Sequence, residues 1–402
     1  MGDLSWRFDE REYIYIKEVL DSGFASSTSG NMNTRLEEAF AKRFSSDFAI
    51  TFNSGTTTLH AALEAFGVGY GDEVITTPLT VISCMNAILY CGAIPVFADI
   101  DPNTFLIDPV SIEDKITPKT KAIMPVHLYG QVCDMTSIMN IAEKHNLYVL
   151  EDCAQCYLGE HMGKVGGTFG HVGSWSFENS KHLTTGDGGI VTCNDEELAD
   201  GIRKLNCQGF RNATAKSGKI RVSKDVFQNP NFKRHDRFGF MYRLPEVAAA
   251  MGVAQLEKLE WFVSLRVKMA SMYSESILKS GCNWLLPQRV PEGDVNSYYT
   301  YAMKFNHPSV SWEEFRLEYI RNGGDGIYAG WTLCYLEDSI PDIKNRLSKQ
   351  GLDGRFDVQR GQCPIAESIQ PQLMQLTTNQ HTEDEMKSQS EALYHTILHF
   401  QV

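Results

Sequence analysis

The sequence lacks long hydrophobic runs and an excess of positive charge, and its first residues lack the pattern typical of a signal peptide. No stretch of its 402 residues approaches the roughly 18 consecutive apolar residues that a membrane span requires. Lys and Arg number 37 against 50 for Asp and Glu, and the net charge of -13 argues against nucleic acid or an anionic membrane as the main partner. The first residues have no basic segment followed by an apolar one. These absences predict an acidic cytoplasmic protein.

Paired cysteines are also scarce. The ten cysteines are scattered along the chain, and only Cys153 and Cys156 stand close together. A zinc site usually needs a second pair of Cys or His ligands at similar spacing, and the sequence has no such pair. We therefore expect reduced, mostly buried thiols and no bound metal.

What the sequence does contain, from about residue 48, is an alternation of short apolar runs and helical patterns. The runs predict strands at 48–53, 73–77, 94–99, 121–126 and 147–152, with helices at 57–66, 81–91 and 135–144. Such alternation indicates an α/β fold with a mainly parallel sheet and helices on both faces.

The second half of the chain has a different pattern. Residues 208–236 are polar and lack a period, which predicts a long loop. The remaining patterns predict a helix at 244–263, a strand at 298–305, and helices at 312–321 and 384–400. These later elements indicate a smaller α+β domain at the C-terminal end.

Two segments are candidates for ligand binding. Ser54 to Thr56 lies between a strand and a helix, where backbone N–H groups and the helix dipole bind anions such as phosphate. An ordinary helix N-cap has the same residues. Asp152 ends a strand at the carboxyl edge of the sheet, where a carboxylate can hold the protonated nitrogen of a cofactor ring. A lone Asp is more often a helix cap.

Lys181 is the strongest candidate for catalysis. It follows a strand-like run that contains Ser176, and it precedes the glycine-rich turn at 186–189. A lysine withdrawn from water there can present the neutral amine that forms Schiff bases, although most lysines are exposed surface residues. The adjacent His182 is expected to be structural, because neighbours on an extended segment point to opposite sides. Asp187 is expected to serve the turn.

Together these segments resemble the DegT/DnrJ/EryC1/StrS family of sugar aminotransferases, which depend on pyridoxal phosphate (PLP) and have fold type I. The similarity extends from about Leu20 to the C-terminus. It is carried by the motifs at 54–56, 126–131 with 134–135, 151–154, 176–177 with Lys181, 188–189 and 248–256. The resemblance implies a large PLP-binding domain at 1–260, with an N-terminal arm at 1–30 packing on a small domain at 261–402.

The resemblance also implies roles for single residues. Lys181 would carry PLP in a Schiff base and shuttle the proton between Cα and C4′, while Asp152 would pair with the pyridine nitrogen. Further cofactor contacts are implied for Gly55, Thr56 and Ser176 at the phosphate, for Gln155 beside the ring and, from the neighbouring subunit, for Arg243. The implied enzyme is a homodimer with shared active sites. It would move an amino group, expected to come from glutamate, to a keto sugar that is usually nucleotide-linked.

Some positions depart from the family pattern. Val81 stands where the family usually stacks an aromatic residue on the cofactor ring, and an aliphatic side chain can still cover a ring face by dispersion. Met241 alters the segment that precedes Arg243. Relatives with His in place of Lys181 are dehydratases, so the lysine favours transamination.

Residues 323–331, which would face the acceptor, contain no positive charge to meet a diphosphate. Tyr328 and Trp331 are the candidate substrate contacts in this segment. Its glycines either make a simple turn or accompany an atypical acceptor, such as a keto-cyclitol or a sugar without a nucleotide. A catalytically idle binding protein with a PLP fold is the alternative that Val81 suggests.

Overall fold

The computed structural model describes residues 5–352 and 354–401, and they form two larger sheets surrounded by helices. The strands are β1 (Phe48–Phe52), β2 (Glu73–Thr76), β3 (Ile94–Phe97), β4 (Thr120–Met124), β5 (Tyr148–Asp152), β6 (Glu160–His161), β7 (Lys164–Val165), β8 (Val172–Ser176), β9 (Gly189–Cys193), β10 (Leu285–Pro287), β11 (Tyr301–Phe305), β12 (Ile327–Ala329) and β13 (Leu373–Leu376). The helices are α1 (Glu10–Asp21), α2 (Met32–Arg43), α3 (Gly55–Ala65), α4 (Ser83–Tyr90), α5 (Pro109–Asp114), α6 (Met135–His145), α7 (Glu196–Asn206), α8 (Lys224–Gln228), α9 (Glu246–Leu256), α10 (Leu259–Ser280), α11 (Trp312–Arg321), α12 (Ile340–Lys349), α13 (Pro364–Ile369) and α14 (Glu383–His399).

The main sheet has seven strands in the order β1-β9-β8-β5-β4-β2-β3. β9 runs antiparallel to both of its neighbours, and the other pairs are parallel. Strands β8 and β9 are buried at every position, because helices cover both faces of the sheet. The predicted α/β fold with a mainly parallel sheet is therefore confirmed.

The second sheet is antiparallel, with the order β10-β11-β13-β12. Its core includes Tyr273, Tyr301 and Phe315, with contributions from α10, α11 and α14. By contrast, side chains from 333–373 pack into the core of the main sheet. The N-terminal segment contacts both parts: α1 packs against α9, and the Trp6 ring stacks on His381 at 4.8 Å between centroids. The division of the chain at residue 260 stays a prediction.

Some predicted boundaries differ from the structure. The single helix predicted at 244–263 is two helices, because the chain leaves helical geometry between Leu256 and Leu259. No glycine or proline marks this break. It coincides with the buried Lys258, whose ammonium donates to the Arg7 carbonyl at 2.8 Å and to Glu12 at 2.6 Å. A local sequence pattern cannot predict contacts with residues so distant in the sequence. The short helix α8 likewise interrupts the predicted loop.

The cysteines behave as predicted. All ten are free, and each is buried except the half-buried Cys282. No helix within 5–352 and 354–401 has the length and apolar character needed to cross a membrane.

Candidate active site

A cavity of about 360 Å³ opens at the carboxyl edge of the main sheet. The strand order explains its position, because β1, β2, β5 and β8 all end there and β9 begins there. The lining includes most of the residues predicted for the site: Gly55, Thr56, Val81, Asp152, Gln155, Ser176, Lys181 and Trp331. These predicted residues, up to 276 positions apart in the sequence, therefore line one cavity.

One end of the cavity is formed by the start of α3. Ser54 caps the helix by accepting the Thr57 N–H at 3.2 Å, and the N–H groups of the first turn have no acceptor within the helix. A Cβ on Gly55 would lie 2.8 Å from the Ser176 Cβ, so glycine is needed for this close approach. The Thr56 hydroxyl donates to Ser83 at 3.0 Å. Backbone donors and hydroxyls thus converge where a phosphate can bind.

Asp152 lies elsewhere in the cavity wall and is 5% exposed. Its Oδ1 accepts the Ala154 N–H at 2.9 Å, and its Oδ2 accepts the Cys84 thiol at 3.0 Å. Burial, followed by the charge of Asp152, raises the pKa of Cys84 well above its usual value, so the thiol keeps its proton and donates. A carboxylate held in this way can pair with a protonated ring nitrogen.

Lys181 is 8% exposed, and its side chain lines the same cavity. The Nζ atom lies 4.7 Å from the centroid of the Tyr299 ring. The Tyr299 hydroxyl in turn shares a hydrogen bond with Ser180 at 2.7 Å, and the Glu178 carboxylate accepts from Ser180 at 2.5 Å. The amine is therefore placed against an aromatic face, within a polar turn.

His182 takes no part in the cavity lining. Its Nε2 pairs with the Ser297 carbonyl at 3.0 Å, and burial lowers the pKa of the imidazole well below its usual value. Because that carbonyl can only accept, Nε2 carries the proton. A neutral, buried imidazole in this position agrees with the expected structural role.

Trp331, shortly after β12, and Val81, shortly before α4, also line the cavity. Trp331 stacks on the buried Tyr129 ring, with 6.4 Å between centroids, and Gln155 accepts the Tyr129 N–H at 3.0 Å. The segment after Trp331 is tied to the Val81 loop, because Cys334 donates its N–H to Pro78 at 2.9 Å. Aliphatic and aromatic surfaces thus enclose this side of the cavity.

Two predicted residues lie outside the cavity. Tyr328 is on β12 and is 48% exposed, because alternation along the strand turns Ile327 inward instead. Arg243 lies in a separate crevice beside Arg203 and Glu37. Within this chain its guanidinium donates to two sulfur atoms, those of Met241 at 3.1 Å and Cys207 at 3.9 Å.

The structure also adds residues that the sequence did not single out. Ser83, Glu178 and Tyr299 line the cavity. Tyr299 precedes a strand in a tyrosine-rich run, and that run indicated only sheet structure. The position of Tyr299 near Lys181 depends on how the second sheet packs against the main sheet.

The donor set fits PLP. Backbone N–H groups and hydroxyls near Gly55 suit its phosphate, Asp152 suits its ring nitrogen, and the buried amine of Lys181 suits its aldehyde carbon. When bound, PLP supplies the electron sink that lets an amino group pass between an amino acid and a ketone. The fold and this cavity together define a PLP-dependent aminotransferase of fold type I.

Comparison with known proteins narrows the class. The model of the DegT/DnrJ/EryC1/StrS aminotransferase family matches residues 7–320, and the chain belongs to this family. GDP-perosamine synthase from Caulobacter vibrioides is 41% identical over 277 residues, which are 68% of this chain and 69% of that protein.

Solved structures agree with this assignment. An aminotransferase from Psychrobacter cryohalolentis has a TM-score of 0.84 and 30% identity, covering 98% of both chains. NtdA from Bacillus subtilis, solved with the bound cofactor PMP, has a TM-score of 0.79 and 25% identity, and the match covers 97% of this chain and 82% of the NtdA chain. The chain is therefore an aminotransferase of the amino-sugar type, with PLP as its cofactor.

Proposed function

We propose that the enzyme transfers the amino group of glutamate to the carbonyl carbon of a nucleotide-linked keto sugar. The observation that carries the proposal is the single cavity shared by Lys181, Asp152 and the start of α3. Lys181 attaches the cofactor and moves a proton at the substrate carbon. Asp152 holds the ring nitrogen, and the N–H groups near Gly55 orient the phosphate. Trp331 and Val81 exclude water from the reacting carbon.

The nucleotide-linked acceptor is supported by two observations. One is the similarity to a GDP-perosamine synthase. The other is the start of the 323–331 segment, where Gly323 and Gly326 have φ of 95° and 127°. These left-handed angles favour glycine, so residues 323–326 form a turn between α11 and β12, and these glycines need no unusual acceptor to explain them.

Positive charge for a diphosphate is available elsewhere. The loop at 208–236 carries basic residues at 211, 216, 219, 221, 224, 233 and 234 and acidic residues only at 225 and 236. Within this loop, Phe227, Phe232 and Arg234 line a cavity of about 550 Å³. Aromatic and basic side chains in one cavity suit a base and its phosphates. We infer that the loop meets the nucleotide.

We also infer a homodimer with shared active sites. Arg243 makes only sulfur contacts among the hydrogen bonds described for its guanidinium, and its Nε is buried without a partner in the described part of the chain. An Arg in such surroundings suits an anion brought by a second subunit. The phosphate of the neighbouring cofactor is that anion in this proposal.

The first test separates the two half-reactions. With glutamate, the PLP form should lose its visible absorbance and release 2-oxoglutarate, and the product form should then aminate keto sugars. Paired acceptors with and without the nucleotide, together with a keto-cyclitol, identify the acceptor class. A protein whose cofactor absorbance does not respond to glutamate would contradict the donor assignment and favour an idle binding protein.

The second test locates the cofactor. Borohydride reduction and peptide mapping should find the pyridoxyl group on Lys181. The Lys181→Arg variant keeps the charge but cannot form the Schiff base, whereas Lys164→Arg replaces an exposed lysine and serves as the matched control. Labelling of any other lysine would disprove the assignment.

A further inference from the structure

The backbone around Lys181 is held by a buried arginine from the N-terminal segment. Arg7 is 3% exposed. Its guanidinium donates to the carbonyls of Asn179 at 2.8 Å, Lys181 at 2.7 Å and His182 at 2.9 Å. All three acceptors belong to the irregular segment between β8 and β9, inside the loop that an isolated bridge between Glu178 and Gly186 closes.

A second buried arginine, which follows this segment in the sequence, binds it as well. Arg266, on α10, donates to the carbonyls of Ser180 at 3.4 Å and Tyr299 at 2.7 Å. The four consecutive carbonyls of residues 179–182 are therefore each bound by one of two guanidiniums. Tyr299, whose ring lies against the Lys181 amine, is held by the same Arg266.

Placing both charges here has an energetic cost. Burial lowers the pKa of Arg7 to about 10 and that of Arg266 to about 9, and for Arg266 the repulsion from Arg7 adds to the effect. Both side chains remain charged at neutral pH. Buried charges are costly unless they are well hydrogen-bonded, and the planar guanidinium suits several carbonyl acceptors at once.

The arm that carries Arg7 is itself anchored. The Arg7 carbonyl accepts from Gln255 at 2.9 Å and from Lys258 at 2.8 Å. Lys258 also pairs with Glu12 at 2.6 Å, and this lysine lies at the break between α9 and α10. The break in the helical pattern thus provides a fixed attachment for the N-terminal segment.

We propose that Arg7 and Arg266 are positioning residues, which hold the Lys181 turn so that Nζ reaches the carbon that accepts the amine. The N-terminal segment then contributes to catalysis, although none of its described residues lines the cavity. This inference rests on the proposed role of Lys181. Arg7 acts through the backbone and contacts neither substrate nor cofactor.

The test measures cofactor attachment separately from cofactor binding. Full-length protein freed of PLP is mixed with PLP, and the rate of Schiff base formation is followed by absorbance and by borohydride trapping. Arg7→Ala should lower this rate about 10- to 100-fold, since a small misplacement of a reacting group costs about that much. The dissociation constant of PLP, measured on a Lys181→Ala background, should change less than about threefold, because phosphate and ring contacts remain.

Chemical rescue distinguishes positioning from general structure. Guanidinium ion should restore much of the attachment rate of Arg7→Ala, since it can enter the space left by the side chain, and it should not restore Arg7→Met, which fills that space. Arg11→Gln is the matched control, because Arg11 is on the same arm but 43% of its side chain is exposed. This control should attach PLP at the wild-type rate.

Several results would overturn the inference. Attachment by Arg7→Ala at the wild-type rate would do so, as would a slower rate that falls in parallel with PLP affinity and is not rescued by guanidinium. If Arg7→Ala does not fold, Arg7→Lys is the deciding variant. A lysine ammonium cannot reproduce the planar set of N–H donors of the guanidinium, so PLP attachment should slow about fivefold or more. Attachment by Arg7→Lys at the wild-type rate contradicts the proposal. Trapping of a different lysine in the wild-type protein would instead refute the proposed function.

Discussion

At the residue scale, the Asp152 carboxylate depends on an unusual donor. Cys84 binds its Oδ2 through a thiol, which is a weaker donor than a hydroxyl. Because burial holds the pKa of this thiol high, it stays protonated throughout the working range of such an enzyme. In the proposed pairing of Asp152 with the cofactor nitrogen, Cys84 would orient the carboxylate without competing strongly for its negative charge.

Replacing Cys84 tests this role. Cys84→Ala removes one donor to a buried carboxylate, which should weaken PLP binding by about 1 kcal/mol, or roughly fivefold. Cys84→Ser restores a donor and should bind PLP within about twofold of wild type. Equilibrium dialysis of both variants gives the affinities, with Cys282→Ala as the control. Equal affinities for Cys84→Ala and wild type would show that the thiol has no such role.

His182 makes a prediction about pH. Its folded-state pKa is lowered, chiefly by burial and then by the charge of Arg266, so the unfolded chain binds a proton first as the pH falls. The contribution to stability is therefore complete above about pH 6.5, and it is lost below that pH at up to about 1.4 kcal/mol per pH unit. Urea unfolding at pH 7.5 to 5.5 measures this slope.

The matched variants for this slope are His182→Gln and His395→Gln. Glutamine can still donate to the Ser297 carbonyl but does not titrate, so His182→Gln should flatten the pH dependence. His395 is exposed, and its replacement should leave the slope as it is in the wild type. An unchanged slope in His182→Gln would assign the acid sensitivity to other groups.

At the element scale, the start of α3 must approach the end of β8 closely. Gly55→Ala would place a Cβ 2.8 Å from the Ser176 Cβ, so the first turn of α3 would shift away from the proposed phosphate position. We expect PLP affinity to fall about tenfold or more, since several hydrogen bonds to one anion lengthen together. Gly69→Ala is the control, because nothing lies within 4 Å of its added Cβ. Fluorescence titration with PLP checks both variants, and equal affinities would contradict the close-approach argument.

The sequence predicted the bounds of a helix well where a local sequence signal lies at the observed end of that helix. Helix α14 begins at a capping box of Thr382 and Glu385, and α11 has the predicted bounds of 312–321. The same method missed the break at Lys258, because the contacts of that side chain come from Arg7 and Glu12. The helical pattern of a sequence continues across a break in the helix when tertiary contacts cause that break.

At the scale of the whole molecule, the shared-site proposal makes a complementation prediction. A site is taken to combine Lys181 of one subunit with Arg243 of the other. When Lys181→Ala and Arg243→Ala proteins are refolded together, each hybrid dimer has one site with both residues intact. The equal mixture should reach about a quarter of wild-type activity, because about half of the dimers are hybrids. Activity no higher than the mean of the two separate variants would show that each site is built from one chain.

The candidate site was predictable to the extent that it follows the strand ends. Asp152 and Ser176 end strands, and Gly55 and Lys181 lie in the segments that follow β1 and β8. Strands of one parallel sheet bring their carboxyl ends to a common edge, so these residues reach one cavity. Tyr328 was not brought to the cavity, because a single step along β12 reverses the direction of a side chain. The sequence alone could not predict which side chains of β12 point toward the cavity.

The amino-acid sequence alone indicated the class of this protein, because the order of a candidate anion-binding turn, a strand-end Asp and a lysine before a glycine-rich turn resembles that of a known family. Tertiary structure alone decided how the lysine is held. Arg7 lies 174 residues from Lys181, and Arg266 lies 86 residues from Ser180, so neither contact leaves a local pattern. Hydrogen bonds between such distant groups form only after the sheet, the N-terminal arm and α10 have packed together, because packing brings their atoms within reach.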